Sequence, residues 1–187
     1  MSAESRGAAE QAYRAGKAAS GDDQARRHYQ RGIDVARQAL RATPDDPAAL
    51  LWLAANLAAE ALTHGRLRAL ARIPEIESTL LRLEALHPGY DHAAGARSLA
   101  NLYWKAPALI SIGSSKKAAV YFQLALERAG DFPGNQAMAA AFWVDYRDCG
   151  RARPLALAVA SRSDLDRFGP DAAEWRALAR AALRDCD

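Results

Sequence analysis

The 187 residues contain only two cysteines, Cys149 and Cys186, which form no CxxC pair and have no histidine at metal-ligand spacing. A zinc-ribbon site and a disulfide scaffold are thereby excluded; two unlinked thiols are expected, with a single bridge between them left open. No apolar run approaches the ~18 residues of a membrane span, so no membrane-spanning helix is expected. Met1-Ser-Ala-Glu-Ser-Arg-Gly7 passes directly into charged sequence without the apolar core of a signal peptide. As it stands the sequence reads as cytoplasmic, or as periplasmic if an export signal has been removed. Valine, isoleucine and threonine are scarce and no stretch sustains period-two alternation, so strands have little support. There is no glycine-rich phosphate loop, and His28, His64, His87 and His92 lie in no HExxH context. Ser114-Ser-Lys-Lys117 reads as a helix cap followed by solvent lysines rather than a Ser/Lys nucleophile pair. No catalytic residue, metal or cofactor is therefore expected, and the chain is not read as an enzyme.

The charge balance is equally restrictive. The formal charge of +3 comes from 25 basic residues, mostly arginine, scattered among 22 acidic ones. A nucleic-acid binder needs a basic stripe with interleaved aromatics. The nearest approach, Arg66-Leu-Arg-Ala-Leu-Ala-Arg72, reads as a solvated helix face, so no nucleic-acid partner is expected.

What the chain does have is alanine, roughly a quarter of all residues, with Leu, Arg, Glu and Gln beside it. These are strong helix formers, and an all-α fold follows. Pro44, Pro88 and Pro133 stand 44 and 45 residues apart, each closing an amphipathic helical stretch. Ala25-x3-Tyr29-x2-Gly32 precedes the first and Ala118-x3-Phe122-x2-Ala125 the third. Small, aromatic and small residues at this spacing share one helix face, where the ring fills a notch left by small neighbours. Tyr29 and Phe122 are therefore expected inside their own hairpins, in a right-handed stack.

Local signals divide the chain into helices. The first runs from Gly7 to about Ala19, and the second follows Asp22-Asp23 to about Ala42. Asp46-Pro47 opens a third that stops at Thr63-His64-Gly65. A fourth covers Arg66 to Leu86, kinked or split at Pro74. The fifth covers Ala93 to Lys105, and the sixth, capped by Ser114 or Ser115, reaches Gly130. A seventh spans Gly134 to Tyr146, Pro154 opens an eighth, and Asp171 caps a last one ending near Arg184. The expected architecture is an α-solenoid of about four tetratricopeptide-like hairpins plus a C-terminal capping helix, in one domain over residues 1–187.

Two segments carry a family resemblance. One is Tyr29-Gln-Arg-Gly32 through Ala39-Leu40 and Pro44-Asp-Asp46 to Ala49-Leu-Leu-Trp52-Leu-Ala-Ala-Asn-Leu57. The other is His87-Pro-Gly-Tyr-Asp91, Arg97-Ser-Leu-Ala-Asn-Leu-Tyr103, Ala106-Pro107, Ile112-Gly113, Lys117-Ala118, Tyr121-Phe122, Ala125-Leu126 and Phe132-Pro133-x-Asn135. Together, over about residues 25 to 137, they resemble the T-component family of tripartite (TRAP) periplasmic transporters. The eukaryotic regulators of microtubule dynamics are similar in repeat style, more weakly. The first resemblance implies an exported helical-repeat protein that forms a ligand channel beside a solute-binding partner.

Stacked hairpins leave a concave face for binding. On the fifth helix Arg97, Asn101 and Lys105 fall at i, i+4 and i+8, with Tyr103 and Trp104 beside them. Two cations and an amide beside aromatics suit an acidic or carboxylate-bearing ligand. The competing reading makes the cations solvated and Trp104 core. On the third helix Trp52, Asn56 and Glu60 repeat the spacing; Trp52 and Asn56 are ligand candidates, against a buried interhelical hydrogen bond for Asn56. The functional expectation is a non-enzymatic scaffold whose groove or pore takes a small apolar or anionic ligand, a protein partner such as a solute-binding protein, or both. The alternative is a cytoplasmic adaptor that binds a peptide segment, and a homo-oligomer stays open. The segment Ala106 to Gly113, between proline and glycine, is expected to be non-helical and to lie over a cavity mouth. Its Leu109, Ile110 and Ile112 should turn inward or meet a second chain.

Overall fold

The computed structural model describes residues 3–187 and, apart from residues 3–6 and 66, their side chains. It is all-helical, with consecutive helices packed in pairs as an α-solenoid. The described residues form α1 (Ala3–Lys17), α2 (Asp22–Ala42), α3 (Pro47–Thr63), α4 (Arg66–Leu86), α5 (Tyr90–Lys105), α6 (Ser115–Ala129), α7 (Pro133–Asp145), α8 (Cys149–Ala160), a short 3₁₀ helix (Leu165–Phe168) and α9 (Ala172–Asp185). Helices α1 to α4 pack each on the next, α5 and α6 form the closest pair, and α9 closes over both α7 and α8. Residue 106–114, including the whole of 106–113, is non-helical.

Local chemistry explains several boundaries. The Asp46 carboxylate accepts from the Ala49 N–H at 2.9 Å, with Pro47 at the first helical position of α3. Ser114 caps α6 through the Lys117 N–H at 3.2 Å. Besides shifts at the starts of α1 and α5, three features differ from the sequence reading. Helix α8 starts at Cys149 rather than Pro154, because the Asp148 side chain captures the Arg151 N–H at 3.0 Å and nucleates the helix earlier. Pro74 lies inside an unbroken α4, where it removes one backbone bond out of a 21-residue ladder. Asp171 makes no capping bond; its carboxylate instead takes the Lys17 ammonium of α1 at 3.1 Å.

Alanine faces allow close helix approach, and aromatic rings plug the remaining space. Tyr29 and Phe122 are both buried. A Cβ on Gly16 would come 2.3 Å from the Tyr29 ring, so only glycine admits the ring between α1 and α2. Phe122 lies against Phe142 (5.1 Å between centroids) and Trp104 (6.2 Å), in the main core with Ile33, Leu57, Leu99 and Tyr103.

The two cysteines are joined, which overturns the expectation of unlinked thiols. Cys149 opens α8 and Cys186 follows α9, and antiparallel packing of those helices brings their Cα atoms to 5.5 Å. Sequence spacing of 37 residues carried no such information.

Two stability measurements test this packing. Phe122→Ala should lower the urea-unfolding free energy by about 3–5 kcal/mol. Reducing the Cys149–Cys186 bond, or replacing both cysteines with alanine, should lower it by up to about 4 kcal/mol from loop-closure entropy, with helix content unchanged before the transition.

Candidate functional site

A cavity of about 300 Å³ lies between α1, α3, α4, α5 and α7. Its floor is Ala54, Ala55, Ala58 and Ala59 of α3, and its apolar walls are Tyr13, Leu62, Ile76, Leu80, Leu102 and Met138. Arg97, Ser98 and Asn101 of α5 make one polar corner. The reason lies in helix geometry: residues 54/55 and 58/59 recur at the i, i+4 spacing of one face, and their small side chains leave empty volume where leucines would fill it. A second, wider groove of about 590 Å³ runs past Gly16, Lys17, Ser20, Thr63 and Glu174. Tyr13, Ala59 and Leu62 line both, so the two spaces are neighbours that share a wall.

The polar corner rests on a strained turn. Asp91, His92 and Ala93 have φ of 45°, 56° and 61°, a left-handed turn ahead of the regular part of α5. Such residues cost about 1–2 kcal/mol each. The His92 carbonyl accepts from Arg97 Nη1 at 3.0 Å and from Asn135 Nδ2 at 3.1 Å, and its ring stacks on Phe132 at 4.3 Å. Arg97 Nη1 also donates to Asn135 Oδ1 at 2.9 Å, and the guanidinium sits 4.9 Å over the Phe132 ring. Its nearest carboxylate, on Asp91, is 3.7 Å away. Burial pushes the Arg97 pKa down and Asp91 offsets this in part; the group remains a cation. Ser98 and Asn101 have no side-chain partner among the described residues and are half-buried at the cavity wall.

The six residues singled out from the sequence therefore separate. Arg97 and Asn101 line the cavity. Trp104 and Lys105 lie beyond its end: Trp104 packs on Phe122 and Phe142 while its Nε1–H donates to Asp145 at 2.9 Å. The Lys105 ammonium rests on the Trp104 ring at 3.1 Å, 3.8 Å from Asp145. Asn56 is fully buried and donates to the backbone carbonyls of Ala9 (3.1 Å) and Trp52 (2.7 Å), the interhelical bond that competed with ligand contact. Trp52 supports the Tyr13 ring at 5.5 Å.

Tyr13 was missed, although a signal existed. Ala9-x3-Tyr13-x2-Gly16 repeats the small-aromatic-small spacing of α2 one helix earlier. Burial raises the Tyr13 pKa, and its hydroxyl has no hydrogen-bond partner among the described residues. Ser98 and the alanine floor gave no signal, since alanine is everywhere.

At the groove's rim α1 meets α9. Lys17 contacts Asp171 at 3.1 Å and Glu174 at 3.0 Å, and Arg14 lies 3.7 Å from Asp171. Partial burial opposes the Lys17 charge, but the hydrogen bonds it donates to Glu174 and Asp171 outweigh this, so its pKa is raised. Among the described residues no group of three or more His, Cys, Asp or Glu side chains is placed to hold a metal ion, and no helix is long and apolar enough to cross a membrane. Compared with known proteins, the chain matches no family model and no curated sequence.

Asn135 and Asn101 should respond oppositely to truncation. Asn135→Ala leaves buried carbonyls unmatched and should cost about 2–3 kcal/mol of stability. Asn101→Ala should stay within about 0.5 kcal/mol of wild type. Both are read from the shift of the urea midpoint.

Proposed function

We propose that the chain is a binding protein, as its resemblance to transporter T-components implies, and that its concave cavity takes an apolar molecule bearing one small anionic group. The carrying observation is the alanine-floored cavity with a single polar corner at Arg97, Ser98 and Asn101. At about 300 Å³ it lies at the small end of ligand sites, about 300–1,000 Å³. A carboxylate at the corner meets the two uncommitted side chains of Ser98 and Asn101 beside the buried Arg97 cation, whose guanidinium is held by Asn135 and the His92 carbonyl, and the tail follows Tyr13 and Leu62. A tail of this kind needs no hydrogen bonds from the walls, which offer almost none.

Export follows from the same reading. Disulfides persist in oxidising compartments, so the Cys149–Cys186 bond favours a periplasmic setting over the cytoplasmic adaptor. In that setting the protein would pass its ligand to, or receive it from, a solute-binding partner.

The test is titration of delipidated protein with dodecanoate and with its methyl ester. Dodecanoate should bind at least about tenfold more tightly, the value of one charge-assisted hydrogen bond. Asn101→Leu should shrink that preference, and Ala58→Phe should block both compounds, while thermal midpoints stay near wild type. Equal affinity for acid and ester, or binding unaffected by Ala58→Phe, removes the reading.

A further inference from the structure

Leu109 and Ile110 are expected to turn inward or to meet a second chain, and within the chain they do not turn inward. Leu109 is 99% exposed and Ile110 72%, at the tip of the segment joining α5 to α6. Pro107 and Ala108 beside them are also exposed, so four consecutive apolar residues face solvent. Neither the cavity nor the wider groove is lined by any of them.

This exposure is built rather than accidental. The neck of the loop is pinned: the Ser114 N–H donates to the Tyr103 carbonyl at 2.9 Å. A Cβ on Gly113 would lie 2.0 Å from the Ala106 carbonyl oxygen, so the two stems touch and only glycine fits there. Ile112 turns back into the main core and anchors the return strand of the loop. With the ends closed in this way the segment is a compact Ω-type loop, and its tip has nowhere to fold but outward.

The charge around the loop is equally one-sided. The whole chain has four lysines, and three of them, Lys105, Lys116 and Lys117, flank this loop, in a protein that otherwise uses arginine. No aspartate or glutamate occurs between Asp91 and Glu127. From other elements, Asp145 of α7 lies 3.8 Å from Lys105, and Glu77 of α4 accepts at 2.6 Å from the hydroxyl of Tyr103, whose ring lies under Lys117. Lys116 and Lys117 are exposed and make no ion pair among the described residues, Lys117 resting 4.7 Å over the Tyr103 ring. Val120, 52% exposed, lies one helical turn beyond them on the same face of α6.

We propose that the α5–α6 loop docks on an anionic lipid bilayer, Leu109 and Ile110 entering the headgroup boundary while Lys116 and Lys117 pair with lipid phosphates. An apolar tip with a cationic collar matches that surface and no other as well: flexible lysine stems keep their charge at the headgroups while the tip sinks below them. A protein partner of ordinary interface chemistry would instead deplete lysine from the contact. The docking does not depend on what the cavity binds.

The experiment is flotation of the full chain with vesicles, either phosphatidylcholine alone or phosphatidylcholine and phosphatidylglycerol in equal parts. The protein should float with the anionic vesicles only, and added salt should release it. Lys116→Gln with Lys117→Gln should weaken partitioning by about 25-fold, from about fivefold per lysine near such a surface. Leu109→Ser with Ile110→Ser should weaken it by about tenfold or more, with an unchanged thermal midpoint because both side chains are solvent-exposed. In a Leu109→Trp variant, tryptophan emission should shift to the blue on anionic vesicles. Three results overturn the proposal: no flotation with either vesicle, flotation insensitive to the loop substitutions, or a dimer in sedimentation velocity that Leu109→Ser with Ile110→Ser abolishes.

Discussion

Between α6 and α7 the helices touch at few points: Phe122 and Phe142 pack across the seam, and the fully buried Asn135 supplies its polar link. Its amide nitrogen lies 3.1 Å from the His92 carbonyl, 3.0 Å from Ala125 and 2.9 Å from Ala129, while its oxygen accepts from Arg97. Each unmatched group of a buried amide costs about 1–3 kcal/mol, and Asn135 is matched on both atoms. That matching ties α5, α6 and α7 to one geometry. It also holds the left-handed turn at Asp91–Ala93, which no residue other than glycine adopts without cost. The polar corner of the cavity inherits its position from this knot.

Helix α5 consequently has two ends with different tasks. Its first half is locked by Asn135 and Phe132 and turns Ser98 and Asn101 toward the cavity. Its last turn is closed off by the trio of Trp104, Lys105 and Asp145, and from there the chain leaves into the exposed loop. The binding cavity and the projecting tip are thus separated by a satisfied, rigid stretch of helix. At the far side of the cavity the ion pairs of Lys17 with Asp171 and Glu174 bring the first and last helices together. Such half-exposed pairs contribute little stability each, and their effect is to define a rim.

The candidate site was legible only in part. The i, i+4, i+8 spacing correctly placed Arg97 and Asn101 on a shared face, because helical periodicity is a local property. It could not show that Asp145, on α7, would satisfy Trp104 and Lys105, or that Ala9 would take the Asn56 amide. Those partners are 41 and 47 residues away in the chain. Tyr13 could have been found from Ala9-x3-Tyr13-x2-Gly16, a spacing already recognised in α2.

By itself the sequence determined which residues are helical and where most helices begin and end. Alanine-rich composition, Asp46-Pro47, Ser114 and the Pro107–Gly113 break act within a few residues of their own position, so no tertiary information is needed to read them. The packing of the α-solenoid decided the rest: the Cys149–Cys186 bond, the buried state of Asn56 and Asn135, the inward turn of Ile112 against the outward tip of Leu109 and Ile110. Hydrophobicity treats Ile110 and Ile112 alike. What separates them is whether a core surface lies within reach once the loop's neck is pinned, and that depends on helices far along the chain.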